Sequence, residues 1–156
     1  MLTIQDLLND KRVFLDVPAA DKLAALKTVV HLLAEAGQIN ADAEADLYRR
    51  LDEREQLSTT ALGEGIAIPH AYFEQIPEPM LIFARLSKGV DFDAPDDRPV
   101  DKIFMLLGGK RDHTQHLMIM ARLSRMLKDT GFRQTLDTAG QPGAVLDAVR
   151  DVESRH

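Results

Sequence analysis

Apolar positions along the chain follow two periods. Leu23, Leu26, Val30 and Leu33 recur at spacings of three and four, which puts them on one face of a helix, and Gly37 stands where a C-cap is expected. Ahead of them Thr3 caps a short helix through Asp6, Leu7 and Leu8, and Val13, Phe14 and Leu15 make a brief strand that ends near Pro18. Ala41 to Gln56 keeps the helical period with Ala45, Leu47 and Leu51 among many charges, so it reads as a more exposed helix. Continuous apolar runs then replace the helical period: Ile66 to Ile68, Met80 to Leu86 and Lys102 to Leu107 are strand-like, and Gly108 and Gly109 stop the last of them. Asp112, with Gln115 three residues on, forms a capping-box-like pair opening a helix through Leu117, Met120, Ser124 and Leu127. Phe132 to Ala139 and Ala144 to Val152 are two shorter helices, whereas Ile76 to Pro79 and Val90 to Val100 look irregular. The alternation predicts an α/β fold, a single-domain sandwich over residues 1–156 with helices packed on a central sheet. Strand order is not contained in the pattern.

Composition narrows the function. Of 156 residues 45% are hydrophobic and only 5% aromatic, with no Trp, so the core is aliphatic and large enough for one domain. Twenty-five acidic against nineteen basic residues leave a net charge of −6 and no electrostatic footprint for nucleic acid, which is therefore not an expected partner. No run approaches the roughly 18 apolar residues of a membrane helix, and the N-terminal stretch lacks a signal pattern; the expectation is a cytoplasmic protein without membrane insertion. The absence of cysteine excludes disulfides, thiolate zinc sites and a cysteine nucleophile in this chain.

Candidate chemistry falls to histidine. His31 lies within the first strong helical pattern and His156 is terminal, so both read as structural or surface residues. His70 directly follows Ile66-Ala67-Ile68-Pro69, a strand whose proline fixes its own φ and pushes Ile68 into an extended conformation. The ring is thus delivered from a stiff stem, and the preceding Gly63 and Gly65 would let a partner backbone come close. A neutral imidazole keeps one lone pair, which suits a phosphoryl acceptor or a metal ligand. His116 falls in the first turn of the helix after Asp112, where N–H groups favour an anion, and its ring could donate to a phosphoryl oxygen. His113 and His116 at i and i+3, with His70 or Asp112, would alternatively suit zinc, although no HExxH motif or general base accompanies them. Arg54 is one of the few cations upstream of the His70 strand, and a guanidinium matches a phosphoryl dianion. Ser58-Thr59-Thr60 lacks the ending of a P-loop, and Met105, Met118, Met120 and Met126 read as core filling.

The segment from Arg54 through Gly63-Glu64-Gly65-Ile66-Ala67-Ile68-Pro69-His70-Ala71 resembles the active-site block of the EIIA proteins of the bacterial phosphotransferase system, in their fructose/mannitol/nitrogen-regulatory class. Val90 to Asp101 and His116 to Leu127 extend the resemblance over nearly the whole chain. It implies an α/β sandwich with a mixed sheet, in which His70 accepts a phosphoryl group on Nε2 from an HPr-type carrier, while His116 and Arg54 assist. It implies no cofactor and no metal. The length, the N-terminal layout and Phe92-Asp93-Ala94-Pro95 followed by Pro99-Val100-Asp101 look most like the nitrogen-regulatory branch, whose phosphorylation state controls protein partners. Ala71, where that branch commonly has Gly, and Leu107-Gly108-Gly109-Lys110 depart from it, leaving a stand-alone sugar-specific EIIA that passes phosphate to an EIIB cysteine as the alternative. A regulatory domain that is never phosphorylated would require an inert His70.

Overall fold

The computed structural model describes residues 2–109 and 113–156. Thr3 caps α1 (Ile4–Leu7) through a reciprocal capping box with Asp6. After β1 (Val13–Val17), Asp21 accepts from the Ala24 N–H to open α2 (Lys22–Glu35), and α3 (Glu44–Leu57) follows. Gly37, at φ +73°, ends α2 in a Schellman turn, with the Gln38 N–H donating to the Leu33 carbonyl at 3.0 Å. Three short strands come next, β2 (Ala61–Gly63), β3 (Ile66–Ala67) and β4 (His70–Ala71), then two long ones, β5 (Met80–Val90) and β6 (Val100–Leu107). The chain finishes with α4 (His113–Met126), α5 (Thr130–Thr138) and α6 (Pro142–Ser154).

The strands make one mixed sheet in the order β1-β5-β6-β3-β2, with β4 also paired to β6. β1 is parallel to β5 and β3 to β6, whereas β5 and β6 are antiparallel. Residues of period two divide between the two faces. Ile82, Ala84, Ile103 and Met105 pack with α2 and α3, and Leu81, Phe83, Phe104 and Leu106 pack with α1, α4, α5 and α6. Burial on both faces is why β5 and β6 read as continuous apolar runs and not as alternating ones.

Three expectations change. The Val90 to Val100 stretch is irregular between its ends, as expected, but β5 and β6 take in the end residues themselves, where Val90 pairs with Val100. On α2 the buried face is Ala25, Leu26, Val29, Val30 and Leu33; Leu23 is 46% exposed, since the helix turns that position to solvent one step off the core stripe. Met118 likewise points outward on α4 at 55% exposure, whereas Met105 and Met126 fill the core as expected. The expected capping pair before α4 begins at Asp112, outside the described residues.

Candidate functional site

Pro69 splits the strand that carries His70. β3 pairs with β6 at Ile66–Lys102 and Ala67–Ile103, and β4 resumes against the same strand at His70–Leu106 and Ala71–Leu107. The proline has no N–H to give the ladder, but its carbonyl accepts from the Leu106 N–H at 2.9 Å and so holds the interruption in register. His70 therefore stands on a rigid stem at the sheet, half-buried. Gly63 and Gly65, at φ +95° and +77°, form the β2–β3 turn with Glu64. The space beside them holds the Asp96 and Asp101 side chains of this chain, where the sequence suggested room for a partner backbone.

His70 Nδ1 lies 3.0 Å from the Ile68 carbonyl oxygen. A carbonyl can only accept, so Nδ1 carries the proton and Nε2 keeps its lone pair. Burial is the main influence that pushes the His70 pKa below the ordinary imidazole value; the hydrogen bond to Ile68 opposes it, and the Arg54 charge adds to the depression. A neutral ring with Nε2 free is the state a nucleophile needs.

His70 lines a cleft of about 1180 Å³ between the C-terminal half of α3 and α4. Arg54 lines it too, and the three arginines of this wall differ in their pairing. Arg49 bonds Asp46 and Glu53, and Arg50 bonds Glu74, whereas Arg54 donates Nη1 to the Ser58 carbonyl at 2.9 Å and meets no carboxylate among the described residues. Its remaining donors and full charge are available to an anion. Behind it Glu55, 3% exposed, accepts from the Thr60 N–H at 3.0 Å and hydroxyl at 2.5 Å, and pairs with Lys22 at 3.1 Å. Thr59 donates to the Phe92 carbonyl, tying the same loop to the β5–β6 connection.

His116 is brought near His70, with ring centroids 6.3 Å apart and nearly perpendicular planes. It does not line the cleft. It is 1% exposed, and its Nε2 donates to the Gly108 carbonyl at 2.7 Å. Gly108 sits at φ +83°, and a Cβ there would meet Ile76 at 2.4 Å, so no side chain fits in the turn that presents this carbonyl. The other ring nitrogen, Nδ1, is buried without a hydrogen-bond partner. Burial first, then the neighbouring His70 and His113, hold the His116 pKa low and the ring neutral. With the Nε2 proton held by Gly108, Nδ1 of neutral His116 can act only as an acceptor.

Tyr72, which the sequence reading did not single out, covers His116. The two rings stack with centroids 4.2 Å apart and planes inclined by 24°, and Tyr72 Oη lies 3.0 Å from His113 Nδ1. Tyr72 and His113 both line the cleft. The one available signal was its position two residues beyond His70, just past the end of β4. Among the described residues no three His, Asp or Glu side chains converge as a metal-ligand set. The zinc arrangement with His113 and His116 is thus not assembled there, and Asp112, its other candidate ligand, lies outside the described residues.

Residues 6–152 match the family described as phosphoenolpyruvate-dependent sugar phosphotransferase system, EIIA 2, and the chain belongs to it. A fructose-specific EIIA component of Haloferax volcanii is 38% identical over 138 residues, covering 88% of each chain. A nitrogen regulatory protein of Pseudomonas aeruginosa is 31% identical over 155 residues, covering 99% of each. The crystal structure of the nitrogen regulatory protein IIA-Ntr from Neisseria meningitidis superposes with a TM-score of 0.83 at 29% identity, over 94% of this chain and 98% of that one.

Proposed function

We propose that this chain, as a single EIIA domain acting in the cytoplasm, is a phosphoryl carrier in which His70 Nε2 accepts a phosphoryl group from an HPr-type protein and later surrenders it. The observation that carries this reading is the His70–Ile68 hydrogen bond, which places the proton on Nδ1 and leaves Nε2 as the nucleophile. Arg54 supplies uncommitted positive charge to the transferring group, and little covalent work is asked of the protein beyond the lone pair. Leu57, Leu62 and Leu117, all exposed, rim the cleft and suit it to docking another protein. Incubation with phosphoenolpyruvate, EI and HPr-type proteins should add about 80 Da, the mass of one phosphoryl group. His70→Ala should abolish the gain with the fold intact, and treating the chain beforehand with a strong zinc chelator should leave it unaffected. A His70→Ala protein that still gains this mass would refute the assignment.

The output of the carrier is proposed to be regulatory, acting on protein partners through the phosphorylation state; the fold match to IIA-Ntr and the near end-to-end match to a nitrogen regulatory protein support this. The 38% identity to a fructose-specific component favours the second reading, delivery to an EIIB cysteine. Phospho-His70 that persists beside sugar-specific EIIB proteins, with partner binding that differs between wild type and His70→Ala, fits regulation. Rapid stoichiometric discharge to one EIIB cysteine, coupled to sugar phosphorylation, establishes the second reading.

A further inference from the structure

We propose that Glu55 is a positioning residue of the carrier site: by holding the Thr60 N–H it leaves the Ile68 carbonyl to fix the Nδ1 proton of His70. The inference rests on the carrier reading above and names the residue that prepares its nucleophile.

β2 and β3 are antiparallel with Ala61 opposite Ala67, so Thr60 and Ile68 are the next pair along the ladder. Residues opposite each other in such a ladder exchange both N–H···O bonds or neither. Here half of the exchange is made, because the Ile68 N–H donates to the Thr60 carbonyl at 3.0 Å. The other half, from the Thr60 N–H to the Ile68 carbonyl, is replaced by two different bonds. Thr60 gives its N–H to Glu55 Oε2 at 3.0 Å and its hydroxyl to Glu55 Oε1 at 2.5 Å, and the Ile68 oxygen takes the Nδ1–H of His70 at 3.0 Å. The carboxylate is itself held from the far side. Lys22 of α2 reaches it at 3.1 Å while lying 5.3 Å from the centroid of the Phe92 ring.

Without the carboxylate, the Thr60 N–H would complete the ladder and share the Ile68 oxygen with His70. A weaker hold on Nδ1–H lets the other tautomer gain population, and a ring with its proton on Nε2 has no lone pair at the accepting atom. Burial dominates the His70 pKa, followed by the Ile68 bond; the Glu55 charge ranks below both and below Arg54, so Glu55 acts on the ring through this bond pattern and not through its field.

The test compares Glu55→Ala with Glu55→Gln, whose amide oxygen can still accept the Thr60 N–H, in folded protein at one pH. ¹⁵N spectra of the His70 ring should show the proton on Nδ1 in wild type and in Glu55→Gln, and divided between the two nitrogens in Glu55→Ala. Single-turnover transfer from a phosphorylated HPr-type protein should slow at least about tenfold in Glu55→Ala, and Glu55→Gln should recover most of that loss. A role confined to stability would lower the urea midpoint and leave the tautomer and the rate of the folded protein as in wild type. That result, or a folded Glu55→Gln no better than Glu55→Ala, overturns the inference. If Glu55→Ala does not fold, couplings across hydrogen bonds in the wild-type protein decide: the Thr60 N–H should couple to the Glu55 carboxyl carbon, and coupling to the Ile68 carbonyl carbon overturns the inference. The tautomer is read without phosphorylation, so wild-type protein that gains no phosphoryl mass refutes the carrier reading and not this bond pattern.

Discussion

The Ile68 carbonyl oxygen stands 3.0 Å from Nδ1 of His70, two residues away across Pro69. This short-range bond selects the tautomer, and with burial it keeps the ring neutral and its Nε2 lone pair free. Because Pro69 restricts both its own φ and the conformation of Ile68, the acceptor is held in place by the same residue that interrupts the strand.

Phosphoryl acceptance should therefore tolerate acid. Protonation of His70 removes the nucleophile, and its pKa lies below the ordinary imidazole value of about 6.5. A pH–rate profile should stay flat from pH 8 to about 6.5 and fall only below it; a decline already centred above 6.5 would contradict the burial argument.

Arg54 should matter for rate and not for folding. Arg54→Ala is expected to slow transfer at least tenfold, about 1.4 kcal/mol of transition-state stabilisation, with an unchanged urea midpoint. Arg54→Lys should restore part of the rate, because it returns the charge without the planar fork. Single-turnover transfer from phosphorylated HPr-type protein measures both.

Glu55 should matter for folding. Removing it in Glu55→Ala leaves the Thr60 N–H and hydroxyl and the partly buried Lys22 without their acceptor. The expected loss is about 2–3 kcal/mol in urea denaturation. Lys22→Ala should cost less, since Thr60 still satisfies the carboxylate.

Stability should decline on mild acidification. His70 and His116 both have folded pKa values depressed by burial, so below about 6.5 the unfolded chain binds protons that the folded one does not. Their contribution is complete above that pH and is lost progressively as the pH falls from there toward their folded values. The urea midpoint should drop between pH 7 and pH 5, and His116→Gln should flatten the slope.

The local features of the chain were legible from its order of residues. The Thr3 cap, the Gly37 stop, the Pro69 stem and the buried runs of β5 and β6 depend on φ preferences, capping groups and period, which act over a few residues. The spacing around His70 marked it as the candidate nucleophile for the same reason, and the block from Arg54 to Ala71 carried the family resemblance. The exposed Leu23 on α2 and the outward Met118 on α4 were not legible, because an apolar side chain on a helix does not by itself reveal which neighbours reach it.

What the tertiary structure alone decided is the direction in which each site residue points. Tyr72 and His113 are 41 residues apart, and His116 reaches back to the carbonyl of Gly108 eight residues before it. Those contacts exist because α4 packs through Ile119, Leu123 and Met126 on the sheet face that carries Leu81, Phe83, Phe104 and Leu106, whereas α3 packs with the other face. A ring nitrogen's donor or acceptor role is set by what it faces after that packing. The sequence placed a second histidine near His70; packing turned its N–H onto a backbone carbonyl and put a tyrosine between it and the cleft.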